Sequence, residues 1–185
     1  MTGCERDYTR PPTGVTPGPF FRELQEISDK PVLLVDIDGV LSLFGFVSTE
    51  RPEGTWHSVE GIPHFLSSAA AEHLHQLAEW FDLVWCSGWE EKASEHLPVL
   101  LGVPDLPHLS FDRNPGRAHA HWKLAAIEAH AGDRPLAWID DALDEACEDW
   151  AQKREAPTLL VHTDPAVGLT ADHVVTLAAW AAAPA

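Results

Sequence analysis

Short apolar runs alternate with amphipathic segments along most of the chain. The runs at 32–37, 83–87, 136–139 and 158–162 consist mainly of apolar residues. Runs of this length indicate strands that are buried on both faces, as in a parallel sheet. The pattern therefore predicts a parallel sheet with helices in the connections between its strands.

Apolar residues at three- and four-residue steps mark the intervening helices. One such stripe covers 70–81 and another covers 143–150. A further helix is predicted over about 118–131, and a last one begins after Thr170, whose hydroxyl is suited to capping its first turn. Helices on both faces of a mainly parallel central sheet make an α/β fold, a doubly wound three-layer sandwich.

One segment, 42–63, interrupts this alternation. Within it, the stretches 43–48 and 55–59 alternate polar and apolar residues on either side of a turn-rich centre. They predict a small β-hairpin flap at the carboxyl end of the first strand, where open α/β sheets bind ligands. Residues 1–30 lack apolar periodicity and are predicted to form a flexible leader. The folded catalytic domain is expected to span 31–185.

The first predicted strand ends in two carboxylates, Asp36 and Asp38, followed by Gly39. Strand alternation places both side chains on one face, and the glycine allows the chain to turn sharply after them. Two such charges repel a phosphate dianion, so a phosphate site of this kind requires a hard divalent cation such as Mg²⁺. Two other interpretations of the same residues are a calcium loop and an ordinary turn at the end of a strand.

This apolar strand with its DxDG ending resembles the first motif of the haloacid dehalogenase-like (HAD) hydrolase superfamily. The resemblance implies that Asp36 is a nucleophile that becomes an aspartyl-phosphate, and that Asp38 is the general acid and base. The second motif is a strand ending in Ser or Thr that holds a phosphoryl oxygen, and Ser87 occupies that place. The amides of Gly88 and Trp89 are expected to contact the same oxygen. The indole of Trp89 is also a candidate stacking surface for substrate.

Two further motifs complete the resemblance. In the superfamily a lysine near the start of a helix neutralises the phosphoryl group, and Lys123 fits this place better than Lys92, which lies among glutamates. The strand over 136–139 then ends in Asp140 and Asp141. The resemblance implies that Asp140 binds the metal and that Asp141 either binds it through water or orients Lys123. Either aspartate is also suited to capping the following helix.

Several histidines are weaker candidates for the site. His57 and His64, in or just after the predicted flap, either contact substrate or lie on the surface. His119 and His121 are two residues apart on a predicted helix. This spacing points them to different faces, so they are not expected to share a zinc ion.

Composition limits the partners of this site. The chain has 29 acidic residues against 12 Lys plus Arg, a formal net charge of −17, and its basic residues do not cluster. A long DNA or RNA track needs such a cluster, so no extended nucleic-acid binding is expected, whereas a single strand end held by one metal and one lysine is compatible with this charge. Three cysteines without close pairing, and no apolar run long enough for a membrane span, predict a cytoplasmic protein.

Together the motifs predict a Mg²⁺-dependent phosphohydrolase for phosphate monoesters of small molecules or nucleotides, with the cation held by Asp36, the carbonyl of Asp38, and Asp140. Arg113 and Arg117, in the loop ahead of the motif lysine, are weaker candidates for holding substrate. Two alternatives stay open: a phosphatase for nucleotides or nucleic-acid ends, and a phosphoaspartate signalling or binding domain without turnover. The chain leaves no room for a large cap. The resemblance then implies an open site that takes larger substrates or is closed by homo-oligomer formation.

Overall fold

Strands and helices alternate along residues 28–112 and 119–183, the part of the chain that the computed structural model describes. In chain order the strands are β1 (Val32–Val35), β2 (Ser42–Leu43), β3 (Gly54–Val59), β4 (Ile62–Ser67), β5 (Asp82–Trp85), β6 (Leu136–Asp140) and β7 (Thr158–His162). The helices are α1 (Ser68–Leu77), α2 (Glu91–Leu101), α3 (Leu124–Ala131), α4 (Glu145–Lys153) and α5 (Ala171–Ala181). Short 3₁₀ turns lie at Ser48–Glu50 and His121–Lys123.

The central sheet has the strand order β5-β1-β6-β7, and every neighbouring pair is parallel. Side chains of β1 alternate between its two faces. Leu33 and Val35 pack with residues of α1, α2 and α5, while Val32 and Leu34 pack with residues of α3 and α4. All four are fully buried, so β1 lies at the centre of the core. The predicted α/β fold, a parallel sheet between two helical layers, is confirmed.

The segment between β1 and α1 forms a separate antiparallel sheet in the order β2-β4-β3, and we call residues 42–67 the flap. A hairpin is present, and the predicted arm 55–59 is confirmed as part of β3, but the predicted arm 43–48 is wrong. The hairpin pairs β3 with β4, and the predicted arm 43–48 overlaps the sheet only at Leu43 in β2. The hairpin turn is Glu60-Gly61, whose φ angles are both positive, 50° and 83°, as in two-residue hairpin turns.

Pro63 explains why the sequence pattern places the end of the flap too early. Proline lacks the N–H that a central strand uses, which argues against a strand at this position. Within β4, the partners of β2 are Phe65 and Leu66, so Pro63 lies beyond that ladder. The strand therefore continues to Ser67, which caps α1 by accepting a hydrogen bond from the Ala70 amide.

Helix starts differ from their predicted positions in two places. Asp144 caps α4, so the predicted capping by Asp140 or Asp141 is wrong. The helix predicted over 118–131 begins in the described chain with the 3₁₀ turn at 121–123. Thr170 caps α5 as predicted. None of the helices in the described ranges has the length and apolar character that a membrane span needs.

Candidate functional site

The carboxyl ends of β1, β5 and β6 meet at one edge of the central sheet because these strands are parallel neighbours. A cavity of ≈ 260 Å³ opens at this edge. Its lining contains the residues that the sequence predicts for catalysis, phosphate binding and metal binding: Asp36, Asp38, Ser87, Gly88, Trp89, Lys123, Asp140 and Asp141. The fold thus brings together residues that are more than a hundred positions apart in the chain. The roles of these residues stay predictions.

Lys123 lies between two carboxylates inside this cavity. Its Nζ is 2.7 Å from Asp140 Oδ2 and 3.2 Å from Asp36 Oδ1, and the residue is only 4% exposed. Burial alone would lower the pKa of Lys123, but the charges of Asp36 and Asp140 outweigh burial and raise that pKa above its ordinary value. The ammonium therefore stays charged. It donates a direct hydrogen bond to Asp140, while the orienting role suggested for Asp141 stays a prediction.

Three carboxylates converge beside this lysine. One oxygen from each of Asp36, Asp140 and Asp141 lies within 4.8 Å of the others. Burial raises the pKa of Asp141 to about 6, and the charge of Asp36 adds to the effect. The same two causes raise the pKa of Asp140 against the opposing charge of Lys123. Like charges are thus crowded into a partly buried space where a cation would relieve their repulsion.

The donor atoms of this group fit Mg²⁺. All are carboxylate oxygens, the ligands that hard divalent cations prefer over softer metals. The carboxylate of Asp38 is not part of the group, and its predicted contact through the backbone carbonyl stays a prediction. The site can therefore hold Mg²⁺ through Asp36, Asp140 and Asp141.

The turn after β1 packs directly against this carboxylate group. Gly39 has a φ of 73°, and a Cβ at this position would lie 2.3 Å from Cγ of Asp141. The amide of Gly39 donates to the carbonyl of Ser42 at 2.8 Å, and the hydroxyl of Thr163 donates to the carbonyl of Gly39 at 2.9 Å. Only glycine fits both the conformation and the space, so Gly39 allows the turn after β1 to pack directly against the side chain of Asp141.

The carboxylate of Asp38 faces the flap. Trp89 donates its indole N–H to Asp38 Oδ2 at 3.3 Å, and His64 Nδ1 lies 3.7 Å from Asp38 Oδ1. Trp89 is 8% exposed and packs edge-on against the His64 ring. Its indole contacts Asp38 and His64 and also lines the cavity, and the stacking role suggested for it stays a prediction.

His64 is the residue that sequence reasoning most underestimates. It is 7% exposed and lines the cavity, so its predicted place on the surface is wrong. Its cross-strand neighbour His57 is half-buried and contacts Thr55 instead. Part of this position could be read from the sequence. If Glu60-Gly61 is taken as the hairpin turn, His64 and Ile62 lie on the same face of the strand that follows, because side chains alternate.

The histidines at 119 and 121 also differ from their prediction. They were expected to point apart, but their rings stack at 5.6 Å, and Asp144 Oδ2 is 3.5 Å from His119 Nδ1 and 2.6 Å from His121 Nδ1. Residues 119 and 120 are not helical, which removes the reason for divergence. His119 lines the cavity on this side. Arg113 and Arg117 lie outside the described residues.

Lys92 occupies the cavity mouth. Its Nζ is 2.5 Å from Glu60 Oε2 in the flap turn, and both side chains are about half exposed. Lys92 therefore joins α2 to the tip of the flap. Its position at the rim, compared with that of Lys123 between carboxylates, agrees with the preference for Lys123 as the motif lysine.

Comparison with known proteins adds a family to this geometry. Residues 32–174 match the family described as the HAD domain in Swiss Army Knife RNA repair proteins. The matched segment covers well over half of the chain and includes every residue that lines the cavity. Among curated proteins, none matches the chain.

Proposed function

The chain belongs to the HAD domains of Swiss Army Knife RNA repair proteins, and from this premise we propose that it is a Mg²⁺-dependent phosphohydrolase that removes terminal phosphate monoesters from RNA. Membership confirms the predicted superfamily and makes hydrolysis the general activity. The main support for a phosphate monoesterase is that Lys123 and the carboxylates of Asp36, Asp140 and Asp141 meet in one cavity.

The charge distribution supports a phosphoryl site next to Asp36. Lys123 supplies a buried positive charge, and Ser87 supplies a hydroxyl that lines the same cavity. Bound Mg²⁺ would neutralise further charge on the phosphoryl oxygens. Preorganised groups of this kind act most strongly in a space that excludes water.

Two steps complete the reaction. A carboxylate oxygen of Asp36 attacks phosphorus, the bond to the leaving oxygen breaks, and Asp38 gives its proton to that oxygen. Water then attacks phosphorus in the aspartyl-phosphate while Asp38 takes a proton from it, and the bond between phosphorus and the Asp36 oxygen breaks. Inorganic phosphate leaves, and Asp36 and Asp38 return to their starting states. The presence of Asp38 in the cavity favours turnover over a stable phosphoaspartate signal.

The family description favours RNA ends over free metabolites, and the charge of the chain limits how the RNA is held. A net charge of −17 repels the body of a strand. One terminal phosphate, in contrast, would lie beside Lys123 and beside the carboxylates that would hold Mg²⁺. The proposal therefore confines recognition to the last nucleotides of the strand.

Release of inorganic phosphate tests this function. RNA oligonucleotides with 5′- or 3′-phosphates, matching DNA oligonucleotides and a panel of phosphorylated metabolites are incubated with the protein and Mg²⁺. We expect release from RNA ends, and Asp36→Asn should lower the rate on the order of 10⁴-fold or more. Asp149→Asn, at an exposed aspartate on α4, should keep full activity.

Two outcomes would contradict the proposal in different ways. Activity on metabolites alone would remove RNA as the substrate but leave the chemistry intact. Equal inactivity of the wild type and Asp36→Asn on every compound would favour the non-turnover domain instead.

A further inference from the structure

The flap supplies part of the surroundings of Asp38. One carboxylate oxygen accepts the indole N–H of Trp89 at 3.3 Å, and the other lies 3.7 Å from His64 Nδ1. A distance of 3.7 Å is beyond direct hydrogen bonding, so His64 acts on Asp38 through packing and electrostatics. Both oxygens of the carboxyl group are thus contacted by buried aromatic side chains.

His64 is itself held in place by the turn that carries Asp38. Its Nδ1 hydrogen-bonds with the hydroxyl of Ser42 at 2.9 Å, and both residues are buried. The backbone of Ser42 accepts from Gly39 and donates to Ile37, each at 2.8 Å. Ser42 therefore ties His64 to the same turn that positions Asp38.

Trp89 completes this arrangement from the other side. Its ring lies edge-on to the His64 ring with centroids 4.6 Å apart. A shift of His64 would therefore move both contacts of the Asp38 carboxyl group. Near this contact, at the rim, the ion pair between Lys92 of α2 and Glu60 also joins the flap to the segment after β5.

We propose that His64 is a positioning residue which, with Trp89, orients the carboxyl group of Asp38 for proton transfer to the leaving oxygen. This inference rests on the proposed function. In it, the proton passes from Asp38 to the leaving oxygen, and His64 neither gains nor loses one. The flap thereby controls the acid step, while the central sheet holds the phosphoryl group.

The leaving group distinguishes this role from a structural one. A ribose hydroxyl leaves poorly unless it is protonated, whereas nitrophenolate is a stable anion that needs little help. The ratio kcat/KM reports steps up to departure of the leaving group, so later hydrolysis of the aspartyl-phosphate does not enter. His64→Leu should therefore lower kcat/KM for a nucleoside 3′-phosphate about tenfold or more, yet change that for p-nitrophenyl phosphate less than about threefold.

Three further variants provide controls. His64→Asn keeps a hydrogen-bonding group near the place of Nδ1 and should restore most of the lost rate. Trp89→Phe removes the indole N–H and should reproduce the dependence on leaving group, which preserves the test if His64→Leu does not fold. His57→Leu, on the cross-strand neighbour, should leave both substrates unaffected.

The outcomes separate the two proposals. Equal losses on both substrates, or no loss on either, in soluble and folded His64→Leu would overturn the positioning role alone. Wild-type protein that hydrolyses neither substrate, nor phosphorylated RNA, would overturn the proposed function and this inference with it.

Discussion

On the wall of the cavity formed by the central sheet, Lys123 bridges Asp36 and Asp140 at 3.2 and 2.7 Å. On the opposite wall, formed by His64 of the flap and by Trp89 of the turn between β5 and α2 and called the flap wall below, the contacts of Asp38 with these two side chains measure 3.7 and 3.3 Å. Full charges on strand ends hold the first wall together, and ring packing holds the second. Charge neutralisation by Lys123 therefore takes place within the core, whereas Asp38, the proton-transfer group, depends on contacts with an element outside the central sheet.

Lys123→Met should break the sheet wall and have the largest effect. It removes the ammonium and leaves Asp36 and Asp140 buried without their partner. Loss of one preorganised charge-stabilising group costs about 10²–10³ in rate. Removing one partner of a buried ion pair also costs about 3–5 kcal/mol of unfolding free energy. Steady-state kinetics in Mg²⁺ measure the loss of rate. Chemical denaturation in EDTA measures the loss of unfolding free energy.

Lys92→Met is the matched control for that change. Its ammonium pairs with Glu60 at the exposed rim, where ion pairs contribute little to stability. We expect the melting temperature and kcat to stay close to those of the wild type. A large loss in Lys92→Met with none in Lys123→Met would exchange the roles of the two lysines.

Gly39→Ala should disturb both walls, because Gly39 follows Asp38 directly in the chain and packs against the side chain of Asp141. The positive φ costs about 1–2 kcal/mol for a residue with a Cβ. The added carbon would also lie 2.3 Å from Asp141 Cγ and displace it. Gly102→Ala, with a φ of 67° and open space around its Cβ, separates the two causes. Only Gly39→Ala should weaken Mg²⁺ activation; equal Mg²⁺ titrations for both variants would contradict the contact.

Asp141→Asn should have the smallest effect of these changes to the sheet wall, a change in how stability depends on pH. Burial and Asp36 raise the pKa of Asp141 from 3.8 to about 6 in the folded protein. Between these values the folded state binds more protons than the unfolded state, so stability falls as pH rises through this window. Without metal, the variant should therefore lose less stability than the wild type between pH 4 and pH 6. It should melt higher at pH 7.

Thermal melting in EDTA and in Mg²⁺ measures this effect. Added Mg²⁺ should stabilise the wild type more than Asp141→Asn, because the variant offers one charged ligand fewer. A wild type that gains stability relative to the variant between pH 4 and pH 6 would contradict the raised pKa.

The sheet wall could be predicted from sequence because its signals are local. Apolar runs identify the strands, and Asp36, Ser87 and Asp140 each follow or end one of them. Parallel pairing then brings the strand ends to one edge without further information. Lys123 follows from its place near the start of a helix, although its burial between carboxylates could not be inferred from spacing.

The flap wall could not be predicted because its signals are tertiary. The turn-rich stretch 50–54 suggests a hairpin turn, and Pro63 suggests a strand end, yet Glu60-Gly61 is the turn actually used. The contacts of His64 and Trp89 with Asp38 join segments with no shared pattern. Pairing between β3 and β4 places His57 and His64 opposite each other on one face of the flap, and His64 is the one that is buried and lines the cavity.

Trapping the covalent intermediate shows whether Asp36 is the nucleophile. Borohydride reduces an aspartyl-phosphate to homoserine, which peptide mass spectrometry locates. The protein is mixed with phosphorylated RNA and Mg²⁺, quenched during turnover and reduced, with Asp36→Asn and a sample lacking Mg²⁺ as controls. If Asp36 is the nucleophile, we expect homoserine at position 36 in the wild type and in neither control. Phosphate release with Asp36 unmodified, or modification at another aspartate, would contradict it.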